Sequence, residues 1–598
     1  MNKFKENLQI FKEYSQELYN TLTVEDDLYN TKIQKVEGQK NYIIETDKAK
    51  CFVHSIYSLE NEMDIMFKNI DNKVECLIIF GLGSGYALDY VIKNFNFIKK
   101  IIIIESNLNL FREYLKHADI YGLVSKFKQI SFIINKTQEQ SAYTLGEILA
   151  TDVLKGYSMV YNISYRTIYA GYYEYINKYL VERINHQTVN IITQENFKYV
   201  WPVNTIRNMK YNNELVDKLF GKFNNVPAIL VSAGPSLNKN IHLLKEAKNR
   251  AIIVAVGSAI KILNNAGISP DFYFAVDGGK EEKKIFDNIS TENTILIYGD
   301  KLYCEILPNY KGRKLKMILN LDFLGKYIYN KANISYVESN SGFSIANVAL
   351  GVLNQFGCKK IIFMGQDLCY SDNKEYAEGS WKDEDLNFEN NNFIKRKDIN
   401  GKDVFTISSY LGMKKIFENH IKCNPNTMFI NATQGGLGIE GTIIKNFKDV
   451  LMEDLSRDYD ISETIDKLIL TSNDEKNKEK ISNSMRLMEA EIKELLFEIE
   501  KSIDNIQKKG SSSSFKVIEK EVNMINDKVE LIQFYKDVVS TSLKFNFDSI
   551  DIKFNSNSNK DILLKNVLNK LIETREFLYL VEVLIKEYFD EKQLDIEF

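Results

Sequence analysis

Short apolar runs that stop at small residues recur through the middle of the chain. They fall at 228–232, 251–256, 272–276, 294–298, 315–319 and 360–364, with helix-like stretches between them. Alternation of this kind predicts a mostly parallel sheet covered on both faces, an α/β fold. Upstream, Phe4, Leu8, Phe11, Leu18 and Leu22 recur at helical spacing and predict an opening amphipathic helix. Cys76–Phe80 then predicts a strand, Gly81-Leu82-Gly83-Ser84-Gly85 a tight turn, and Ile101–Ile104, running into Glu105, a second strand. An acidic residue about 20 positions beyond a Gly-rich first turn marks a Rossmann-like unit. The spacing is G-x-G-x-G, so a dinucleotide, S-adenosylmethionine and a purely structural turn all stay open. Near the other end, Ile481, Met485, Met488, Ile492, Leu495, Ile499 and Ile503 step by three and four between Glu and Lys, which predicts a long helix with one apolar seam. Gly510-Ser511-Ser512-Ser513-Ser514 interrupts it; further helical runs follow at 515–545 and 561–588. Three regions result: a Rossmann-like domain over 1–200, a central mostly parallel α/β domain over 201–455 and a helical bundle over 456–598.

Composition narrows the classes. At 598 residues the chain exceeds a single core. A hydrophobic share of 44% with 26% charged residues suits globular domains, and a net charge of −4 argues against nucleic acid as a partner. No uncharged apolar run reaches the ~18 residues of a membrane helix, so membrane insertion is not expected. Met1–Asn7 has no apolar signal core, which makes a cytoplasmic protein the expectation. Six scattered cysteines without a CxxC pair and five histidines without a close pair fit reduced thiols and give no metal centre.

The candidate chemistry lies at strand ends, which share one edge of a parallel sheet. They read Ser232-Ala233-Gly234, Val256-Gly257-Ser258, Ala275-Val276-Asp277, Tyr298-Gly299-Asp300 and Met364-Gly365-Gln366-Asp367. The first continues into Pro235-Ser236-Leu237 and reads as a strand, a tight loop and a helix start. Gly234 lets a phosphate approach the main chain, and backbone N–H groups or the Ser236 hydroxyl hold it. Ser339-Asn340-Ser341-Gly342 precedes a helix ending near Phe356 and offers further donors for phosphate or sugar, or merely a capped helix start. Tyr370 and Tyr376 lie in a polar loop that can cover the crevice. Thr433 opens a Gly-rich stretch that lines the site or turns the chain. Asp383-Glu384-Asp385 and Asp458-Tyr459-Asp460 follow no core strand and are read as solvated charge.

At these residues the chain resembles the flagellar motility-associated factor (Maf) glycosyltransferases. The resemblance is carried, in family order, by Ser232–Leu237, by Gly267-Ile268-Ser269-Pro270-Asp271 with Asp277, by the helix start from Ser341 to Leu350, by Gly365-Gln366-Asp367-Leu368 and by Thr433-Gln434-Gly435-Gly436. His54-Ser55 with Asn61-Glu62 extends it to the N-terminal domain. It implies a sialyltransferase-like central domain. It also implies transfer of a nonulosonic acid, pseudaminic or legionaminic in type, from its CMP-activated form to Ser or Thr of flagellin, in the cytoplasm.

On that reading the donor's phosphate rests on Gly234–Ser236, with Ser232, Pro235, Gly257, Ser258, Gly365 and Gln366 around it. Asp277 or Asp367 orients the ribose or acts as base, and Tyr370 and Tyr376 donate to the phosphate. Family members often carry His where Tyr376 stands; a tyrosine with a pKa near 10 is a poor base at neutral pH. A direct, inverting displacement needs no second enzyme carboxylate as nucleophile. No cofactor beyond the CMP-sugar and no divalent metal is expected. Three alternatives stand beside it: a Mg²⁺- and ATP-dependent pterin pyrophosphokinase, a non-catalytic flagellin-binding factor, and a methyltransferase using Gly81–Gly85.

Overall fold

The computed structural model describes residues 3–46, 49–71, 74–127, 129–149, 157–180, 193, 196–211, 214–371, 374–381, 393–469, 474–509, 524–525, 527–529, 531–542 and 560–590. The chain forms two compact units, Met1–Thr193 and Gln194–Phe598.

In the first unit an antiparallel meander joins β1 (Lys32–Lys35), β2 (Tyr42–Glu45) and β3 (Lys50–Phe52). It accompanies a parallel sheet of β4 (Cys76–Phe80), β5 (Lys100–Glu105), β6 (Gln129–Ile134) and β7 (Tyr157–Tyr161), in the order β6-β5-β4-β7. Winding runs outward from β4 through β6 and then returns to β7 on its other side. A topological switch point therefore lies between β4 and β7. Where one opening helix was expected there are two, Lys3–Tyr14 and Gln16–Thr23. Ser15 divides them, its side chain accepting from the Leu18 N–H as an N-cap. Phe11, Leu18 and Leu22 remain buried in one core, as their spacing requires.

The second unit is built on a ten-stranded sheet. Its strands are β8 (Glu214–Leu215), β9 (Ala228–Val231), β10 (Ile252–Val256), β11 (Phe272–Ala275), β12 (Ile295–Gly299), β13 (Lys314–Leu319), β14 (Glu338–Ser339), β15 (Lys360–Met364), β18 (Met428–Asn431) and β19 (Ile443–Ile444); the intervening β16 (Ile394–Lys397) and β17 (Asp403–Thr406) form a separate antiparallel ribbon. The order is β14-β13-β12-β11-β10-β9-β15-β18-β19, with β8 beside β13, and every pairing is parallel. All six strands predicted from the apolar runs are present within a residue or two. They are apolar without alternation because both faces are covered. Ala228, Leu230, Val254 and Phe363 pack on one side against the helix Ile345–Phe356. Ile229, Val231, Ile253 and Ile362 pack on the other. The architecture is thus the expected α/β class with parallel sheets and a helical C-terminal region.

The seam from Ile481 to Ile503 lies on the helix Asp474–Lys509, and all seven of its apolar residues are buried. It packs with Lys560–Asp590 and with Phe323–Lys331 of the sheet region in one core. Gly510–Ser514 lies outside the described residues. Arg207 clamps this arrangement with a two-pronged ion pair to the buried Glu587, Nε to Oε1 at 2.9 Å and the second nitrogen to Oε2 at 3.0 Å. Among the described residues no helix is long and apolar enough to cross a membrane.

Beside this core, Lys316 on β13 and Asp300 after β12 form a fully buried pair, 2.9 Å apart. Burial opposes the lysine's charge, but Asp300 outweighs it and holds the pKa well above the ordinary value. Removing one partner of such a pair strands the other charge. Lys316→Met is expected to cost ~3–5 kcal/mol in chemical denaturation, and Asp300→Asn added to it to restore much of the loss. A double variant no more stable than the single one would contradict this.

Candidate active site

The switch point of the second unit lies between β9 and β15. The chain leaves β9 towards β10 on one side, and leaves β15 towards β18 on the other. Here the Gly234 N–H donates to the Gly365 carbonyl at 2.8 Å. The two loops touch so closely that a Cβ on Gly234 would lie 2.5 Å from the Asp367 carboxylate. That carboxylate accepts the Ser236 N–H at 2.9 Å on one oxygen and the Ser236 hydroxyl at 2.5 Å on the other. The Gly-Pro-Ser turn therefore holds an anion already, and it is the protein's own. An incoming phosphate, expected on Gly234–Ser236, meets donors that are spent. The turn continues as 3₁₀ segments, Pro235–Lys239 and Ile241–Ala247, in place of the expected α-helix start.

Asp367 is held from several directions. Leu368 adopts φ 57°, a left-handed conformation costly for a branched apolar residue. Gly436, at φ 76°, passes so near that a Cβ there would sit 2.5 Å from the Asp367 backbone, and the Leu437 N–H donates to the Asp367 carbonyl at 2.8 Å. Ser232 donates to Gln366 at 2.6 Å, and Thr433 accepts the Gln366 N–H at 3.2 Å. Burial raises the Asp367 pKa to about 6; the Ser236 donors and the Lys239 charge limit the rise.

Beyond this plug opens a cavity of about 510 Å³. Asp367, Ser232, Gly234, Gly257, Ser258, Asp277, Gly365, Gln366 and Tyr376 line it. Pro235, Ser236 and Tyr370 line instead a second cavity of about 290 Å³, and Asp367 belongs to both walls. Ser339, Asn340, Ser341 and Gly342 line neither. Ser339 is buried and donates to Gln355 at 2.8 Å, and the Ser341 N–H goes to Asn320. Thr433 reaches the site only through Gln366. It is Ser344, capping the helix Ile345–Phe356, that faces the larger cavity together with Ile345.

The loop after β15 closes over this cavity. Ala377 N–H bonds to the Ala233 carbonyl at 2.8 Å, Trp381 Nε1 donates to the Ser258 hydroxyl at 3.1 Å, and Asn265 holds the Gly379 carbonyl at 2.9 Å. Burial and the neighbouring Glu375 push the Tyr376 hydroxyl upward, so at neutral pH it is a donor and no base. Glu282, which sequence reasoning missed, also lines the cavity; only its place five residues after Asp277 pointed to it. Burial raises the pKa of both carboxyls, and Asp277 raises that of Glu282 further by repulsion. Asp277 is exposed along the cavity wall, yet lies deep enough for burial to raise its pKa. Asp383–Asp385 lie outside the described residues. Asp458 is solvated and Asp460 accepts the Glu463 N–H, as expected of surface charge.

The Gly81–Gly85 turn of the first unit is filled as well. Glu105 folds back and accepts the Leu82 N–H at 2.9 Å, the Gly83 N–H at 3.2 Å and the Asn107 N–H at 2.8 Å, with the Tyr165 hydroxyl on both oxygens at 2.8 Å. His54 Nε2 accepts the Ser84 N–H at 3.0 Å, which leaves its proton on Nδ1 facing Glu62 at 3.0 Å. Added Cβ atoms on Gly81, Gly83 and Gly85 would meet Tyr165, His54 and Tyr114 at 2.6, 2.5 and 2.3 Å. The N–H groups of Leu82, Gly83 and Ser84 are thus engaged by side chains of the same unit.

Over its whole length the fold is similar to the structure of the Maf glycosyltransferase from Magnetospirillum magneticum AMB-1, with a TM-score of 0.66, 99% of this chain and 98% of that chain covered, and 14% sequence identity. The chain has the Maf glycosyltransferase fold. Within this Maf-type fold, residues 203–373 match the family described as 6-hydroxymethylpterin diphosphokinase MptE-like, a stretch that runs from before β8 to just past β15. An uncharacterized protein of Treponema pallidum (strain Nichols) is 28% identical over 102 residues, 16% of this chain; the match spans about half, 49%, of that relative.

Calorimetry with S-adenosylmethionine or NAD is expected to give no saturable heat, and saturable binding would contradict a filled turn. Gly83→Ala is expected to lower stability by ~1–3 kcal/mol or more, since the φ of +58° and the His54 contact both oppose a side chain.

Proposed function

We propose that the chain is a glycosyltransferase that moves a nonulosonic acid from a CMP-activated donor to a Ser or Thr hydroxyl of flagellin in the cytoplasm. The observation that carries the reading is the end-to-end likeness to a Maf glycosyltransferase. A sheet with a switch-point cavity serves many chemistries, but the likeness extends to the N-terminal unit and the helical region as well. The MptE-like match takes in most of the larger cavity's lining, but it stops at residue 373, before the cavity-closing segment from Lys374 to Trp381, and leaves out the N-terminal unit and the helical region.

On this reading the donor occupies the larger cavity. The first turn of Ile345–Phe356, capped by Ser344, receives the phosphoryl group, because the leading N–H groups of a helix have no partner within it. Tyr376 and Trp381 offer aromatic faces to the nucleoside. The acceptor hydroxyl arrives from the smaller cavity, where Asp367 forms the common wall. As the acceptor oxygen bonds to the anomeric carbon, the bond from that carbon to the phosphate oxygen breaks. CMP leaves with the electron pair, and Asp367 takes the hydroxyl proton. A carboxylate near pKa 6 suits this task at neutral pH.

Co-expression with flagellin followed by intact-mass measurement is expected to show addition of nonulosonic acid units. Asp367→Asn is expected to lower transfer ~10²-fold or more while flagellin binding persists. An unmodified flagellin, or an Asp367→Asn protein that transfers normally, would overturn the reading; unchanged flagellar assembly with the variant would favour a binding factor. Below about pH 6 the rate is expected to fall tenfold per pH unit as Asp367 gains a proton, and to level off above it. A flat profile from pH 5 to 8 would contradict Asp367 as base.

A further inference from the structure

The larger cavity is lined by five carboxylates, Asp277, Glu281, Glu282, Asp367 and Glu375, and by no lysine or arginine among the described residues. Three of the five have partners. Glu281 pairs with Lys284, Glu375 accepts the Tyr410 hydroxyl at 3.0 Å, and Asp367 holds Ser236. The carboxylates of Asp277 and Glu282 accept no hydrogen bond among the described residues, and desolvation with their mutual repulsion is all that perturbs Glu282. Glu282 is the sharper case. It is only 8% exposed, unpartnered and turned into the cavity. Burial of most of the side chain disfavours its bare charge, which a cation in the cavity would stabilise.

We propose that Asp277 and Glu282 form a binding site for a hard divalent cation of the Mg²⁺ or Mn²⁺ class. Oxygen ligands from one or two carboxylates, completed by water and substrate phosphate, are the usual Mg²⁺ arrangement. Two carboxylates alone make a weak site. Accordingly, among the described residues no three metal-ligating side chains come together. If the cavity takes a nucleotide donor, as proposed above, the cation neutralises the repulsion between these acids and the donor's phosphate. It also binds more tightly when the nucleotide is present. This departs from the metal-free course expected from sequence, and it rests on the charge of the cavity wall.

The test is a titration of the full chain with Mn²⁺ followed by electron paramagnetic resonance, with and without CMP. One Mn²⁺ per chain is expected. Glu282→Gln and Asp277→Asn are each expected to weaken it at least about tenfold, and Glu292→Gln, at an exposed acid paired with Lys311 away from the cavity, to leave it unchanged. Melting temperatures measured alongside are expected to rise with Mn²⁺ for the natural chain and not for Glu282→Gln. No Mn²⁺ uptake in either condition, or uptake that Glu282→Gln and Asp277→Asn leave intact, would overturn the site. Uptake that both variants remove but that CMP does not tighten supports the cation site while counting against the nucleotide reading, so the two fail separately.

Discussion

Everything at the sheet edge hangs on a carboxylate that the chain inserts into its own glycine turn. Asp367, from the loop after β15, closes on the Ser236 N–H and hydroxyl after β9 and so ties the two strands at the point where their connections diverge. The bare Cα atoms of Gly234 and Gly436 leave room for it, and the left-handed Leu368 turns the chain away immediately after it. In the first unit Glu105 does the same for Gly81–Gly85, with His54 and Tyr165 completing the filling. Each unit satisfies its own turn. A Gly-rich βα turn is a strong site for an anion because its N–H groups converge, and a side-chain carboxylate answers that need as well as a phosphate does.

The consequences reach the chemistry. A carboxylate fixed by two donors is oriented, and burial still lifts its pKa to about 6 because desolvation exceeds what the donors return. With the turn closed, open volume lies on either side of Asp367, a larger cavity towards Asp277 and Tyr376 and a smaller one towards Tyr370. One acid common to two cavities is an arrangement suited to passing a group between two bound molecules. The remaining acids of the larger wall have no lysine or arginine beside them among the described lining residues.

What the sequence disclosed divides along physical lines. The buried strands were legible because burial on both faces leaves uninterrupted apolar runs, and the seam from Ile481 to Ile503 because helical burial recurs every three or four residues. Ser15 splits the first helix without breaking that periodicity, so the division was invisible. β16 is largely exposed, so Ile394-Lys395-Arg396-Lys397 carries no burial signal, and β17 buries only Val404 and Thr406. At the site, grouping strand ends on one edge gathered Gly234, Asp277 and Asp367, which line one cavity. It did not reveal whether a turn's donors were free. Partners such as Ser236 with Asp367 lie 131 residues apart, beyond any local pattern. Ser339 looked like a ligand because hydroxyl-rich segments do, whereas its hydroxyl serves Gln355 inside the fold. Glu282 bore no mark in sequence beyond its closeness to Asp277.

A crystal structure of the chain grown with CMP tests this account most directly. The nucleotide is expected in the cavity bounded by Ser258, Ser344 and Tyr376, with Asp367 still seated on Ser236. A phosphate found on the Gly234–Ser236 turn with Asp367 swung away, or on the Gly81–Gly85 turn in place of Glu105, would contradict it.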